Sequence, residues 1–291
     1  MEKNITIVDI AKKTGLSVAT VSRALNGHPS VKEETRKKVE DTAEKLGYQV
    51  NYLARSLGAS SGNMIGMLIP DIRTPFYGRI FSVCEQRALK RGYVLALCNS
   101  FNSLKLETHF YKQLLAQHAC GIVQIGGSLD RQMIPPQLYS QIKSTAEKIP
   151  VITSVPVKNT DCRCIYVDNT RSMRTLLEYL IGLGHRRIAF VGGRSDVWST
   201  MEKRRTYSEV LKERGIAHEI ICEGSYGKED GYFAVKSLLR RGEDFTAVIA
   251  ITDTCAMGVI QALSENGLQC GKDISVVSFD NTYIAEMLEP E

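Results

Sequence analysis

Residues 15–27 read GLSVATVSRALNG and combine small side chains with a single positive charge. The pattern predicts a short helix that starts after Ser17 as its N-cap and ends before Gly27. Val21 and Leu25 are four residues apart, so they share the face that packs against neighbouring helices. The opposite face carries Ala19, Ser22 and Arg23, with Val18 at its flank. Such a helix presents short side chains and one guanidinium to a partner.

Two more helical patterns flank this stretch within the first 48 residues. The earlier pattern has a capping box of Thr6 and Asp9 and a terminating Gly15. The later pattern has a capping box of Ser30 and Glu33. Its apolar stripe consists of Val31, Val39, Ala43 and Leu46. Three amphipathic helices of this size predict a minimal bundle, and the tight TGLS turn makes the first two a helix-turn-helix.

The outward residues of the middle helix suit the major groove of DNA. A recognition helix must approach the bases closely, so its outward side chains need to be short. Val18 and Ala19 can contact thymine methyl groups, and Arg23 offers a fork that matches the edge of guanine. Positive charge also concentrates here, because residues 1–61 hold ten Lys and Arg against seven Asp and Glu. From spacing alone, an ordinary small bundle with a solvated face remains an alternative.

The chain of 291 residues is 43% hydrophobic and 24% charged, which is typical of globular proteins with two or three domains. It has neither a run of about 20 apolar residues nor a signal-peptide pattern. We therefore expect a cytoplasmic protein. Its eight cysteines lack metal-ligand spacing and are interpreted as reduced thiols in the core.

From about residue 63 the pattern changes to alternating strands and helices. The apolar runs NMIGMLIPD, GIVQIGG, RIAFVGG and TAVIAITD are each followed by a helical segment. This alternation predicts right-handed βαβ units in two doubly wound parallel sheets. The second sheet would begin with the strand RCIYVDN. The predicted domains are an all-α headpiece at 1–49, a hinge or linker at 50–61, a first α/β lobe at 62–160 and a second at 161–291.

The segment from Thr6 to Leu57 closely resembles the DNA-binding headpiece of the lactose and galactose repressor (LacI/GalR) family. The matching motifs are T-x-x-D-I-A, G-L-S-x-x-T-V-S-R, L-N-G, L-G-Y and N-x-x-A-R-x-L. Further along, IGMLIPDIRTPFYGRI, GHRRIAFVGG and VVSFDN are similar to the effector-binding core of the family. The resemblance implies a transcriptional regulator, in most cases a repressor. It would bind a pseudo-palindromic double-stranded DNA operator as a homodimer, under the control of a small, sugar-like effector.

The resemblance also implies which residues contact DNA. Val18 and Ala19 would select the operator sequence. The other implied contacts in the headpiece are Thr6, Ser17, Thr20, Ser22, Arg23, Asn26 and Tyr48. Residues 51–58 look like a hinge helix with the implied contacts Asn51, Ala54, Arg55 and Leu57. Leu57 would be an apolar wedge in the minor groove, the alternative being a linker leucine that touches the core. Val50 departs from the family pattern, which usually has proline there.

The two lobes resemble periplasmic sugar-binding proteins, which hold a ligand between lobes at the carboxyl ends of their strands. The candidate effector-binding residues are Asp71, Phe76, Lys203, Thr252, Asp253 and Asp280. Lys203 stands where the family has an arginine, and Thr252 stands where it has an asparagine. A lysine offers a point charge in place of a bidentate fork. The ligand class therefore stays open between a sugar, a phosphorylated or otherwise unusual metabolite, and no ligand.

The chain ends with EMLEPE, where family members return to the first lobe and add further strands and helices. We expect a C-terminally truncated member whose first sheet keeps an exposed edge. The alternative function is a soluble small-molecule-binding protein, or a remnant without regulated DNA binding. An enzyme is disfavoured because the sequence lacks G-x-G-x-x-G, a P-loop, H-E-x-x-H and G-x-S-x-G. No cofactor or metal is predicted.

Overall fold

The computed structural model describes residues 5–25, 28–48 and 62–289. They belong to two separate units, 1–62 and 63–291. The described part of the first unit contains three helices, α1 (Ile7–Thr14), α2 (Val18–Leu25) and α3 (Glu33–Lys45). The helices of the described segments include none that is both long and apolar enough to cross a membrane.

The three helices of the first unit bury the stripes that the sequence predicts. Ile10, Val21, Ala24 and Val39 are all fully buried in a common core. The predicted capping box of α1 is present, since the backbone N–H of Thr6 donates to Asp9 Oδ2 at 2.8 Å. Because α1 ends at Thr14 and α2 begins at Val18, the short connection predicted for a helix-turn-helix is confirmed.

The start of α3 differs from the prediction. The helix begins at Glu33 with Lys32 as its N-cap, so the predicted capping box of Ser30 and Glu33 is wrong. Ser30 instead contacts the ring of His28, with 2.8 Å between Oγ and Nδ1. The hydroxyl of Ser30 is used within this local turn, which competes with capping the helix.

The first lobe is built on a five-stranded parallel sheet with the order β2-β1-β3-β4-β5. Its strands are β1 (Met64–Ile69), β2 (Val94–Asn99), β3 (Gly121–Gln124), β4 (Val151–Thr153) and β5 (Arg163–Cys164). The helices between them are α4 (Pro75–Leu89), α5 (Leu104–Ala116) and α6 (Pro136–Ala146). In the sheet, Ile65 of β1 stands opposite Leu95 of β2 and Gly121 of β3. Separate apolar clusters cover the two faces, as expected for a doubly wound sheet.

The second lobe has a four-stranded parallel sheet with the order β7-β6-β8-β9. Its strands are β6 (Ile188–Val191), β7 (Ile220–Cys222), β8 (Ala247–Ala250) and β9 (Ser275–Ser278). Its helices are α7 (Asn169–Gly182), α8 (Trp198–Glu213), α9 (Lys228–Arg240), α10 (Asp253–Glu265) and α11 (Tyr283–Glu286). All residues of β6 and β8 are buried, which explains why they read as continuous apolar runs. Strand β7 is missing from the sequence prediction because it is short and only Ile220 in it is buried.

The segment that the sequence assigns to the start of the second sheet pairs with the first sheet. Thr153 of β4 stands opposite Cys164 of β5 in a parallel ladder. The predicted strand RCIYVDN is also shorter than expected, since β5 holds two residues. Ile165, Tyr166 and Val167 are exposed, so their apolar pattern does not reflect a buried strand here. Alternation of strands and helices predicts that a strand exists, but it does not specify which of two similar sheets takes the strand.

Candidate nucleic-acid interface and ligand cleft

Helix α2 is fixed at its N-terminus by a local cap. Ser17 Oγ accepts a hydrogen bond from the backbone N–H of Thr20 at 3.1 Å, so Ser17 is the N-cap that the sequence predicts. The Ser17 and Thr20 hydroxyls also lie 2.8 Å apart. On the inner side, Val21 and Ala24 are fully buried. The cap and the buried stripe together hold α2 in one orientation on the bundle.

The predicted DNA-contacting residues of α2 lie on its outer side. Ser17, Val18, Ala19 and Arg23 are exposed, whereas Thr20 and Ser22 are half-buried. Val18 keeps 44% of its surface exposed, although it is a large apolar residue. Two other predicted contacts lie elsewhere in the bundle: Thr6 is exposed at the start of α1, and Tyr48 is half-buried against the core. The predicted contacts Asn26, Asn51, Ala54, Arg55 and Leu57 lie outside the described residues.

A cleft in the second unit brings together four of the six predicted effector-binding residues. It is lined by Phe76, Thr252, Asp253 and Asp280, together with Thr74, Pro75, Tyr226, Thr254 and Thr282. Residues 74–76 stand at the N-terminus of α4 in the first lobe, whereas the others belong to the second lobe. The cleft therefore lies between the lobes, near the carboxyl ends of strands β8 and β9.

Two of these residues are committed to the architecture of the second lobe. Asp253 is 2% exposed and accepts hydrogen bonds from the Ser278 hydroxyl and from both the N–H and the hydroxyl of Thr282. Thr252 is the N-cap of α10: its Oγ1 accepts from the N–H of Cys255 and donates to the carbonyl of Tyr226 at 2.8 Å. These bonds hold the end of β9 against the start of α10, so they shape the cleft wall.

Asp280 is the carboxylate that faces the open cleft. It keeps access to solvent, and its backbone has a positive φ of 89°, a conformation that aspartate tolerates better than most residues. Partial loss of water around the side chain raises the pKa of Asp280 to about 6. The nearby positive charge of Lys203 opposes this shift, whereas the negative charge of Asp253 adds to it.

Lys203 lies behind the cleft lining. Its ammonium group donates to Asn169 Oδ1 at 2.9 Å and stands 4.8 Å from the centre of the Phe279 ring. Burial lowers the pKa of Lys203, although Asp280 and Asp130 favour its charged form. The adjacent Arg204 is not a substitute for the family arginine, because its guanidinium donates to the carbonyl of Gly193 at 2.6 Å and pairs with Glu223.

Asp71 is held by a neighbouring side chain outside the cleft lining. The Arg73 guanidinium binds its carboxylate through two atoms, with 2.7 Å between Arg73 Nη2 and Asp71 Oδ2. These bonds lower the pKa of Asp71 below its ordinary value. The predicted effector set is therefore divided by the structure into one open carboxylate, an aromatic ring, and groups that already have protein partners.

Asp130 and Ser199 form a pair beside the cleft that joins the two lobes and that the sequence does not predict. Asp130 of the first lobe accepts from the Ser199 hydroxyl at 2.7 Å and from the Ser199 N–H at 3.3 Å in the second lobe. Thr200 and Tyr226 lie next to this pair, with 3.0 Å between their hydroxyl oxygens. A signal was present, because Asp130 follows shortly after β3 on the side of the sheet where open α/β folds bind ligands.

Comparisons with known proteins extend these observations to both units. Residues 6–51 match bacterial regulatory proteins of the lacI family, and residues 62–288 match the periplasmic binding proteins and sugar binding domain of the LacI family. Catabolite control protein A of Priestia megaterium is 32% identical over 292 residues, which cover 99% of this chain and 86% of that protein. The HTH-type transcriptional regulator RegA of Clostridium saccharobutylicum is 31% identical over 292 residues, which cover 98% of this chain and 85% of that protein.

A solved structure shows the same likeness in three dimensions. The Lac repressor dimer, bound to operator and the anti-inducer ONPF, matches with a TM-score of 0.83 and 26% sequence identity. The match covers 96% of this chain and 83% of that chain. Headpiece and core thus agree with one group of proteins: the chain belongs to the LacI family of DNA-binding transcriptional regulators.

Proposed function

We propose that the chain is a repressor that binds a pseudo-palindromic operator as a homodimer, and that an effector in the cleft sets its operator affinity. It would act in the cytoplasm and catalyse no reaction. The observation that carries this proposal is the outer face of α2, where Val18, Ala19 and Arg23 are exposed on a helix whose inner face is fully buried. Two such helices in a dimer would enter successive major grooves on one side of the duplex.

The contacts of the headpiece divide into base-reading and positioning groups. Val18, Ala19 and Arg23 would read base edges, because their side chains project from the first two turns of α2. The hydroxyl groups and amides would bind phosphates or neighbouring base edges and so set the register: Thr6, Ser17, Thr20, Ser22, Asn26 and Tyr48. The hinge residues Asn51, Ala54, Arg55 and Leu57 would contact the minor groove between the half-sites.

The cleft supports a neutral polyhydroxy effector better than a phosphorylated one. Phe76 offers an aromatic ring to a sugar face, and Asp280 offers an open carboxylate to sugar hydroxyls. A phosphate would face the negative charge of Asp280, while the nearby Lys203 already donates to Asn169. Effector binding that favours one arrangement of the lobes would change operator affinity by the same coupling free energy.

Operator binding is tested by selection from a library of pseudo-palindromic duplexes at fixed salt, followed by affinity measurements on the selected site. Arg23→Ala should weaken binding to that site by roughly tenfold to hundredfold, with a much smaller loss on unrelated duplexes. Lys45→Ala is the matched control, because it removes one positive charge from α3 without altering the outer face of α2. A chain that binds all sequences equally, or equal losses in the two variants, would contradict the proposal.

Control by an effector is tested with the same selected duplex. Neutral mono- and disaccharides and their phosphorylated forms are compared for their effect on operator affinity. A response to a neutral sugar that Asp280→Ala abolishes supports the cleft as the effector site. A response restricted to phosphorylated sugars would contradict the proposed ligand class while leaving operator binding intact.

A further inference from the structure

Helix α8 in the second lobe begins without a cap from its own sequence. The residue at its N-cap position is Val197, whose side chain cannot accept a hydrogen bond. The first turn also contains no acidic residue that could offset the positive end of the helix dipole. The N–H groups of the first turn have no partner inside any helix, so their acceptors must come from elsewhere.

The missing acceptor comes from the other lobe. Asp130 Oδ1 lies 3.3 Å from the backbone N of Ser199, which is the second residue of α8. Asp130 Oδ2 accepts from the Ser199 hydroxyl at 2.7 Å. A carboxylate in this position does what an N-cap side chain does, and it adds a negative charge at the positive end of the helix.

Backbone contacts next to the cap also join the two lobes. The N–H of Gln132 donates to the carbonyl of Asp196 at 3.1 Å, and Arg131 forms an antiparallel bridge with Val197. Residues 130–132 and 196–199 therefore form one seam between the lobes, which combines backbone pairing with a side-chain cap. We refer to these two segments as the seam.

A buried carboxyl group in the first lobe fixes the turn that presents Asp130. Glu107 is completely buried, and its Oε1 accepts from the N–H of Ser128 at 2.9 Å. Gly127, with φ of 70°, lies directly against this oxygen, and a Cβ at that position would collide with it. The segment 127–130 is thus a short 3-10 turn held from inside the lobe.

We propose that Asp130 caps helix α8 across the cleft, that Glu107 positions the turn carrying Asp130, and that the pair forms a latch favouring closed lobes without an effector. Separation of the lobes exposes the first turn of α8 and leaves its N–H groups to water alone. Lys203 stands on the same helix, so the latch also ties the position of that ammonium group to closure. The biological meaning of the latch rests on the proposed function, whereas its existence does not.

The latch is tested on the full chain without effector and without DNA. Trp198 is the single tryptophan of the sequence and stands at the seam, so its fluorescence reports local opening, while small-angle X-ray scattering reports lobe separation. Asp130→Ala should lower the ratio of closed to open molecules about fivefold, the factor expected for loss of one N-cap. Asp130→Asn should stay close to the unmodified chain, because asparagine caps helices as well as aspartate does.

Two further variants separate a latch from a general loss of structure. Asp244→Ala removes a carboxylate that pairs with Arg187 within the second lobe and outside the seam, so the seam should stay closed. Glu107→Gln keeps an acceptor for Ser128 and should stay closed, whereas Glu107→Ala should open the seam although Asp130 is present. Equal opening in Asp130→Asn and Asp130→Ala would overturn capping as the cause. An unchanged scattering profile and unchanged Trp198 emission in Asp130→Ala would overturn the latch.

If Asp130→Ala does not fold, Ser199→Ala provides the same test from the other lobe. This variant removes the bond at 2.7 Å and keeps the backbone N–H that Asp130 also accepts. A smaller but measurable opening supports the latch, and none contradicts it. Because the experiment contains neither operator nor effector, a failure of the proposed function leaves its result unaffected.

Discussion

The two candidate sites of this protein are encoded in different ways. The outer face of α2 comes from one stretch of consecutive residues, 17–23, and its geometry follows from the helix period and one N-cap. The cleft is assembled from residues 74–76, 226, 252–254, 280 and 282, which two separate lobes bring together. A local site can be interpreted residue by residue from sequence. In an assembled site, similar residues take different roles according to their partners.

The largest expected effect is a difference in stability between variants of Asp253 and Asp280, two aspartates that the sequence predicts as ligands of the same site. Asp253→Ala should lower the free energy of unfolding by about 3 kcal/mol, because Thr282 is 2% exposed and its N–H loses a charged acceptor. Equilibrium urea unfolding followed by Trp198 fluorescence measures this change in the lobe that contains both residues.

Asp280→Asn is the matched control for this measurement. It removes the other carboxylate of the cleft while keeping a residue that tolerates the positive φ of this position. Near neutral pH we expect no loss of stability, since the charged form of Asp280 is disfavoured in the folded chain. Equal destabilisation by the two variants would show that the division between an architectural and an open carboxylate is incorrect.

A smaller effect is expected in the headpiece, where the sequence predicts two serine caps. Ser17→Ala should destabilise the first unit by about 1 kcal/mol, because the N–H of Thr20 loses its acceptor. Ser30→Ala should change stability by less than about 0.5 kcal/mol, because α3 starts after Lys32 and Ser30 contacts His28. Hydrogen exchange of the α2 and α3 amides in the full chain compares the two. Comparable loss of protection in both variants would restore the capping box that the structure contradicts.

The same contrast explains what the sequence predicts well. Strand and helix alternation predicts most elements of the lobes, and the buried stripe of α2 follows from Val21 and its neighbours. The two predicted caps differ because Ser17 Oγ accepts from the N–H of Thr20 in its own helix, whereas Ser30 Oγ contacts the ring of His28. A local pattern predicts a cap correctly when no other local contact takes the capping side chain.

Specific side-chain and strand partners account for what the sequence does not predict. Lys203 and Asp71 stay predicted ligands whose partners the sequence does not specify: Lys203 Nζ donates to Asn169 Oδ1, and Asp71 accepts from the Arg73 guanidinium. The sequence does not predict the role of Asp130, because that role depends on a helix that begins 68 positions later, at Trp198. The sequence prediction for the sheet of β5 is wrong for the same reason, since the pairing of β5 with β4 is a contact between segments.

The smallest expected effect is the pH dependence that the open carboxylate of Asp280 adds to the free energy of unfolding. The pKa of Asp280 is about 6 in the folded chain against an ordinary value of 3.8. Between about pH 4 and pH 6 the folded chain keeps a proton that the unfolded chain releases, so the free energy of unfolding contributed by Asp280 falls as pH rises. Asp280→Asn removes this dependence. Because Asp280 is exposed to solvent, this pH-dependent change in the free energy of unfolding is much smaller than for a fully buried carboxyl group.

Urea unfolding of Asp280→Asn and the unmodified chain at pH 4.5 and pH 7 measures the difference. We expect the variant to gain stability relative to the unmodified chain on going to the higher pH. Lys203→Met should raise the pKa of Asp280 in the folded chain, because the ammonium group of Lys203 favours the charged carboxylate. The pH range over which Asp280 changes stability would then extend further upwards. If both proteins lose or gain stability in parallel across this range, Asp280 does not titrate as the cleft geometry requires.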